Sequence, residues 1–253
     1  MIQDDRAPFM HALRRAREAA YAPEAYIGQE SFMRTAEIRD LAVRAGIGPG
    51  ASVLDLCCGI AGPGRFITRE LGCTYLGVDA SAGAIAIARE LADGLDCRFE
   101  VGTVPPVPPG PFEVVLLLET ILAFRDKRTL VDAIAGALAT GGRFACTLEE
   151  GAPLSDEERA RMPDADTVWL TPREELRDLL AGAGLVVRLE EDHSASHRAT
   201  ADALIAAFAA DAPAIAAVIG RPALDDLLAS HRLWSAWLAS GRVRKLAFVA
   251  EKA

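Results

Sequence analysis

The chain has 253 residues, 51% hydrophobic against 25% charged, which supplies apolar material for one sizeable core and excludes wholesale disorder. Its net charge of −9 leaves no basic field to gather phosphates, which argues against a nucleic-acid or anionic-membrane partner and favours a small molecule. Five cysteines, Cys57, Cys58, Cys73, Cys97 and Cys146, are scattered through apolar runs with no CxxC pair or histidine-rich segment beside them, so no metal is expected and they read as buried thiols of a reducing compartment.

In chain order, the stretch MIQDDRAPFMHALRRAREAA carries charge throughout and lacks the apolar core of a signal peptide. No later stretch reaches the roughly 18 apolar residues of a membrane span, so a cytoplasmic chain with no membrane partner is expected. Helices are predicted over Arg6–Ala20 and Phe32–Ala45, joined by the connector YAPEAYIGQES. ASVLDLC is then an apolar run of the buried-strand type, GRFITRELG a helix ending at Gly72, and TYLGVDA a second strand. SAGAIAIARELADGL is a helix capped by Ser81, followed by the strands CRFEVG and FEVVLLLE, with TVPPVPPGP held extended between them by its prolines. DKRTLVDAIAGALATGG gives a helix with a glycine stop and RFACTLEE a fifth strand. TPREELRDLLAGAGL is a helix with a threonine cap and VVRLEED a sixth strand. An alanine-rich helical stretch from about His197 to Ser240 follows, too long for a tight connection and therefore a lid or a homodimer interface. RVRKLAFVAEK alternates like a strand and is expected to pair at the edge with the sixth. Alternation this regular predicts an α/β, doubly wound sheet.

In such sheets the ligand sits beyond the carboxyl ends of the strands. The first strand ends at Leu56–Cys57, and Gly59, Gly62 and Gly64 let backbone approach a ligand closely. Asp79 closes the second strand 24 residues after Asp55, a placement suited to accept hydrogen bonds from ribose hydroxyls. Read from Cys57 as C-C-G-I-A-G, the loop lacks the first glycine of the dinucleotide fingerprint, and Asp55 would repel a pyrophosphate while suiting an ammonium. Cys57 and Ala61 stand where nucleotide loops often have glycine; both are small, and neither is expected to need a positive φ. Adjacent Cys57 and Cys58 read as inert thiols rather than a redox pair, because a bridge between neighbours strains the peptide.

The ordered motifs VLDLCCGIAGPG, LGVDAS, FEVVLLLET and GGRFACTLEE resemble those of the class I S-adenosylmethionine-dependent methyltransferases over roughly residues 51–150, and WLTPREELRDLLAGAGL with VRKLAFVAEK is similar to the end of that fold. The resemblance implies a Rossmann-like, seven-stranded sheet with an antiparallel last strand and a helical cap. It divides the chain into N-terminal helices and flap (1–50), cofactor-binding core (51–192), helical insertion (193–240) and last strand (241–253). It implies S-adenosyl-L-methionine as cofactor and methyl transfer to a small N, O or C nucleophile; a binding protein of the same fold with a non-methylating role is the alternative. Carried over, Asp55, Cys57 and Gly59 meet the methionine end, Asp79 the ribose, Ala80 the adenine, and Gly102-Thr103 replaces the usual small–acidic pair beside the adenine. Tyr26, rather than Tyr21, is the flap tyrosine expected to close on the cofactor's carboxylate or on the acceptor, with a staple for the first helix as the rival reading. For acceptor chemistry Glu119 ends the fourth strand, and His193 and His197 follow the sixth, though a capping acid and solvated loop histidines are the bland readings. His231, Trp234 and Leu238 share a helix face, as core or as the roof of an apolar pocket.

Overall fold

The computed structural model describes residues 6–21, 25–163 and 165–253, with side chains described from Ala12 onward. Two helices, α1 (Arg6–Ala20) and α2 (Thr35–Arg44), precede the sheet. Then β1 (Ser52–Leu56), α3 (Gly62–Leu71), β2 (Thr74–Asp79), α4 (Ala82–Leu91) and β3 (Cys97–Val101) form two parallel strand–helix–strand crossover units. The chain continues through β4 (Phe112–Leu117), α5 (Lys127–Ala137), β5 (Leu138–Glu150), α6 (Asp156–Arg161), α7 (Arg173–Gly182) and β6 (Leu185–Asp192). Three helices, α8 (Ser194–Ala210), α9 (Ala212–Ile219) and α10 (Arg221–Ser240), occupy the alanine-rich stretch before β7 (Arg244–Lys252). Among the described residues no single helix is long and apolar enough to cross a membrane.

The seven strands lie in the order β3-β2-β1-β4-β5-β7-β6, with β1 to β5 parallel and β7 antiparallel to both neighbours. The last strand is therefore interior, wedged between β5 and β6, and β6 is the edge. Its composition agrees: Leu246 to Ala250 are all buried, as a strand covered on both faces requires. Val114 to Leu117 of β4 are likewise at most 1% exposed, their alternate side chains facing α2–α4 on one face and α5 with α7 on the other. Each such side chain contributes roughly 1.5–3 kcal/mol on leaving water, which fixes the register.

Caps set the crossover ends. Ser81 Oγ accepts from the Ala84 amide at 3.1 Å, as expected, but α7 starts after Pro172 with no side-chain cap, and Thr171 is buried beneath it. A separate apolar cluster joins α1, α8, α9 and α10 through Leu13, Leu204, Phe208, Ile215 and Leu224. The insertion and the N-terminal helix thus form one cap over the carboxyl ends of the strands.

Candidate functional site

The β1 end and the turn behind it form the floor of a cleft of about 260 Å³. Asp55 is buried there, accepts a 2.5 Å hydrogen bond from the Tyr75 hydroxyl, and is pushed up to about 7 chiefly by burial. The turn reverses in the left-handed region: Cys57 has φ +60°, Gly59 φ +55° and Ala61 φ +54°. The expectation for Cys57 and Ala61 is thus corrected. Both do adopt positive φ, and the turn holds them there at a cost that glycine would avoid. The Gly59 amide donates to Asp79 Oδ2 at 2.9 Å and the Ser81 amide to Asp79 Oδ1 at 2.8 Å, so the acid that closes β2 is oriented by the loop after β1.

A ligand fits this cradle by two observations. Nothing lies within 4 Å of where a Cβ on Gly59 would stand, so the cleft is open over that backbone. Gly62, in contrast, leaves no room: a Cβ there would meet Ile27 O at 2.5 Å and Gly28, so the connector before α2 is pressed against the start of α3 and walls the cleft. Asp55, Cys57, Gly59 and Asp79 line it together. Ala80, Gly102 and Thr103 stand beyond it, Ala80 and Thr103 exposed and Gly102 half-buried, its amide donating to Asp79 O at 3.0 Å. Burial pushes the Cys57 thiol up to about 12 and Cys58 higher still, as expected of inert thiols.

A second cavity, of about 210 Å³, opens next to the first and shares Glu30, Ser31 and Glu119 with it. Glu119 sits at the end of β4 with φ +61°, its amide donating to Thr147 Oγ1 at 2.6 Å. Lys245, 2% exposed on β7, lies 2.6 Å from Glu119 Oε1 and donates to Glu149 Oε1 across the β5–β7 ladder. Lys245 holds Glu119 below the usual carboxylate range against the opposing effect of burial, whereas burial prevails at Glu149 and raises it. Glu149 Oε2 is buried without a partner. Arg17 of α1, 8% exposed, faces the same cavity; one guanidinium nitrogen donates to Gln29 O at 3.2 Å and its Nε–H is unpartnered. His231, Trp234 and Leu238 form the roof. His231 Nδ1 donates to Leu227 O at 2.8 Å, and burial lowers it to about 4.

The expected catalytic residues are brought together, with a division among them. Glu119 and His197 line the second cavity, while His193, at the start of α8, does not. His197 lies between two carboxylates, with Nδ1 3.9 Å from Glu119 Oε2 and Nε2 3.7 Å from Glu37 Oε2. Tyr26 lines neither space. Its ring packs 5.6 Å from that of Tyr21 and its hydroxyl meets Arg17, whereas Tyr21 lines the cavity and donates to Ser31 O. Arg17, Glu149 and Lys245, which sequence reasoning missed, line the second cavity, and Glu37 reaches it only through His197. Glu149 and Lys245 stand at strand ends beside the charged Glu150 and Arg244, so nothing in the sequence sets them apart from solvated strand-end charges.

Compared with known proteins, residues 30–190 match the family described as a methyltransferase domain. Phosphoethanolamine N-methyltransferase 1 of Arabidopsis thaliana is 35% identical over 99 residues, 38% of this chain but 20% of that protein. The chain therefore spans about a fifth of the length of the first curated relatives it matches. Phosphoethanolamine N-methyltransferase 2 of Haemonchus contortus, solved with phosphomonomethylethanolamine and S-adenosylhomocysteine, superposes with a TM-score of 0.79 at 20% identity, covering 98% of this chain and 57% of that one. A cyclopropane synthase of Mycobacterium tuberculosis superposes with a TM-score of 0.83 at 14% identity, covering 99% and 95%. At those identities the superpositions show a shared fold.

Proposed function

The chain belongs to the class I S-adenosylmethionine-dependent methyltransferases, and we propose that it methylates a small amine that also carries an anionic group. The observation that carries this reading is the wall of Glu30, Ser31 and Glu119 shared by the cofactor cleft and a cavity of about 210 Å³. When bound, S-adenosylmethionine supplies an electrophilic methyl group on a sulfonium centre. Asp55, Cys57 and Gly59 would hold its methionine end, Asp79 the ribose hydroxyls, and Ala80, Gly102 and Thr103 the open rim beside the adenine. Tyr26 serves the site at one remove, by bracing Arg17.

On the acceptor side the charges are of two kinds. Glu119, kept ionised by Lys245, attracts an ammonium to the junction of the two spaces. A protonated amine lacks the lone pair that displacement at carbon requires, and Glu149, with a free buried oxygen, is placed to take that proton. The unpartnered Nε–H of Arg17 selects a carboxylate or phosphate on the same molecule. The phosphoethanolamine relatives support this reading, since their named acceptor joins an amine to a phosphate. The cap over the cavity excludes water from the reacting atoms.

Turnover of labelled methyl donor against a panel of acceptors tests the proposal. Amines bearing a carboxylate or phosphate should be methylated, and Arg17→Met should raise KM for them at least about tenfold, one charge-assisted hydrogen bond being worth about 1.5–3 kcal/mol. Turnover of uncharged phenols or alcohols in preference would overturn the acceptor class. No turnover of any acceptor by a protein that binds S-adenosylhomocysteine would favour the non-methylating role.

A further inference from the structure

We propose that Glu37, His193 and His197 form a binding site for a divalent transition-metal ion, with zinc the best match. His193 and His197 lie one helical turn apart at the start of α8, the His197 amide donating to His193 O at 3.0 Å, so both rings leave the same side of the helix. Glu37, from the first turn of α2, faces them across the boundary between flap and cap. One donor atom from each of the three lies within 4.8 Å of the other two, and Glu37 Oε2 is 3.7 Å from His197 Nε2. Zinc with ligands at about 2.0–2.2 Å needs donors roughly 3.5 Å apart, a closure of about an ångström that side-chain torsions supply.

Three features distinguish this cluster from histidines packed for bulk. His193 Nδ1 and both ring nitrogens of His197 are buried with no hydrogen-bond partner, an arrangement that costs free energy unless something occupies the space between them. Each ligand also has an outer partner of the kind metal ligands keep: Glu119 lies 3.9 Å from His197 Nδ1, Glu191 lies 3.4 Å from His193 Nε2, and Ser196 Oγ donates to Glu37 Oε1. Finally, three carboxylates, Glu37, Glu119 and Glu191, contact the two imidazoles, while Lys245 pairs with Glu119 and Arg44 with Glu191, so a dication meets a net negative charge. Burial keeps the His197 ring neutral, the form a metal takes. Two imidazoles and one carboxylate suit zinc better than magnesium or calcium, which favour all-oxygen shells. Bound metal would pin α2 to α8.

The site is read without methyl donor or acceptor, so its failure is separate from failure of the proposed activity. The full chain, stripped with a chelator, is titrated with zinc chloride by calorimetry and with cobalt(II) by visible absorption. One equivalent of zinc should bind, and cobalt(II) should give the d–d bands of a low-symmetry nitrogen–oxygen site without the near-ultraviolet band of a thiolate ligand. His193→Asn and Glu37→Gln should each weaken zinc at least tenfold, and His231→Asn should leave it unchanged. Absence of stoichiometric zinc binding by the unsubstituted chain, a thiolate band, or equal affinity in folded His193→Asn and Glu37→Gln proteins would each overturn the site.

Discussion

Burial pushes the Asp55 carboxyl up to about 7, the neighbouring Asp79 adds to the rise, and the Tyr75 hydroxyl offsets part of it. In the ligand-free protein the folded state therefore holds this proton more firmly than the unfolded chain does, and the stability it contributes is lost as pH climbs from about 4 through about 7. A ligand ammonium favours the ionised form, so the sign reverses for binding. Affinity for S-adenosylhomocysteine should rise severalfold between about pH 6 and about pH 8, and Asp55→Asn should flatten that rise. Calorimetric titration across that range checks it, and a flat profile in the unsubstituted protein would remove Asp55 from the ammonium site. The place of Asp55 in the cleft was legible because an acid inside an apolar strand end is chemically conspicuous. The conformations of Cys57 and Ala61 were not: side-chain size says whether a residue fits a turn, whereas φ is imposed by the strand, the loop hydrogen bonds and α3 acting together.

At the level of elements, the loop works because two backbones touch. Gly62 begins α3 directly under Ile27 and Gly28, and its missing Cβ is what allows the connector to close the cleft. Gly62→Ala should push the connector outward, leave α3 and the sheet folded, and weaken S-adenosylhomocysteine at least tenfold by calorimetry. An unchanged affinity with an unchanged circular dichroism spectrum would mean that the connector does not wall the cofactor. Strands β1 to β6 and helices α1 to α5 and α7 were legible from apolar period and glycine or proline punctuation, to within a few residues at most ends, but α5 gives way to β5 at Leu138, so Gly141 and Gly142, expected to stop the helix, lie in the strand. The position of β7 was not, since an alternating sequence specifies a strand and leaves its neighbours open; only the buried run Leu246–Ala250 tells an interior strand from an edge. The cap was legible as helix but not as three helices, with the breaks at Asp211 and Gly220, nor as a partner of α1, because that pairing depends on contacts between residues about 200 positions apart.

Across the whole molecule, Lys245 links the end of the chain to the site. It enters with β7, is 2% exposed, and neutralises carboxylates delivered by β4 and β5, so the docking of the last strand and the electrostatics of the second cavity are one arrangement. Lys245→Met removes the cation while filling much of its volume, and leaves Glu119 and Glu149 buried without it. Breaking a buried pair in this way costs about 3–5 kcal/mol, or roughly 10 °C or more in Tm for a chain of this size. The loss has a direction in pH. Without the lysine both carboxyls rise above their unfolded values, so the variant binds more protons folded than unfolded and its deficit grows as pH increases through those raised values. Chemical denaturation at pH 5 and pH 8 should show the larger deficit at pH 8, and adding Glu149→Gln should restore part of it by removing one of the two stranded charges. A deficit independent of pH and untouched by Glu149→Gln would mean that Lys245 acts through packing of its stem alone, and that Glu119 is held ionised by some other group.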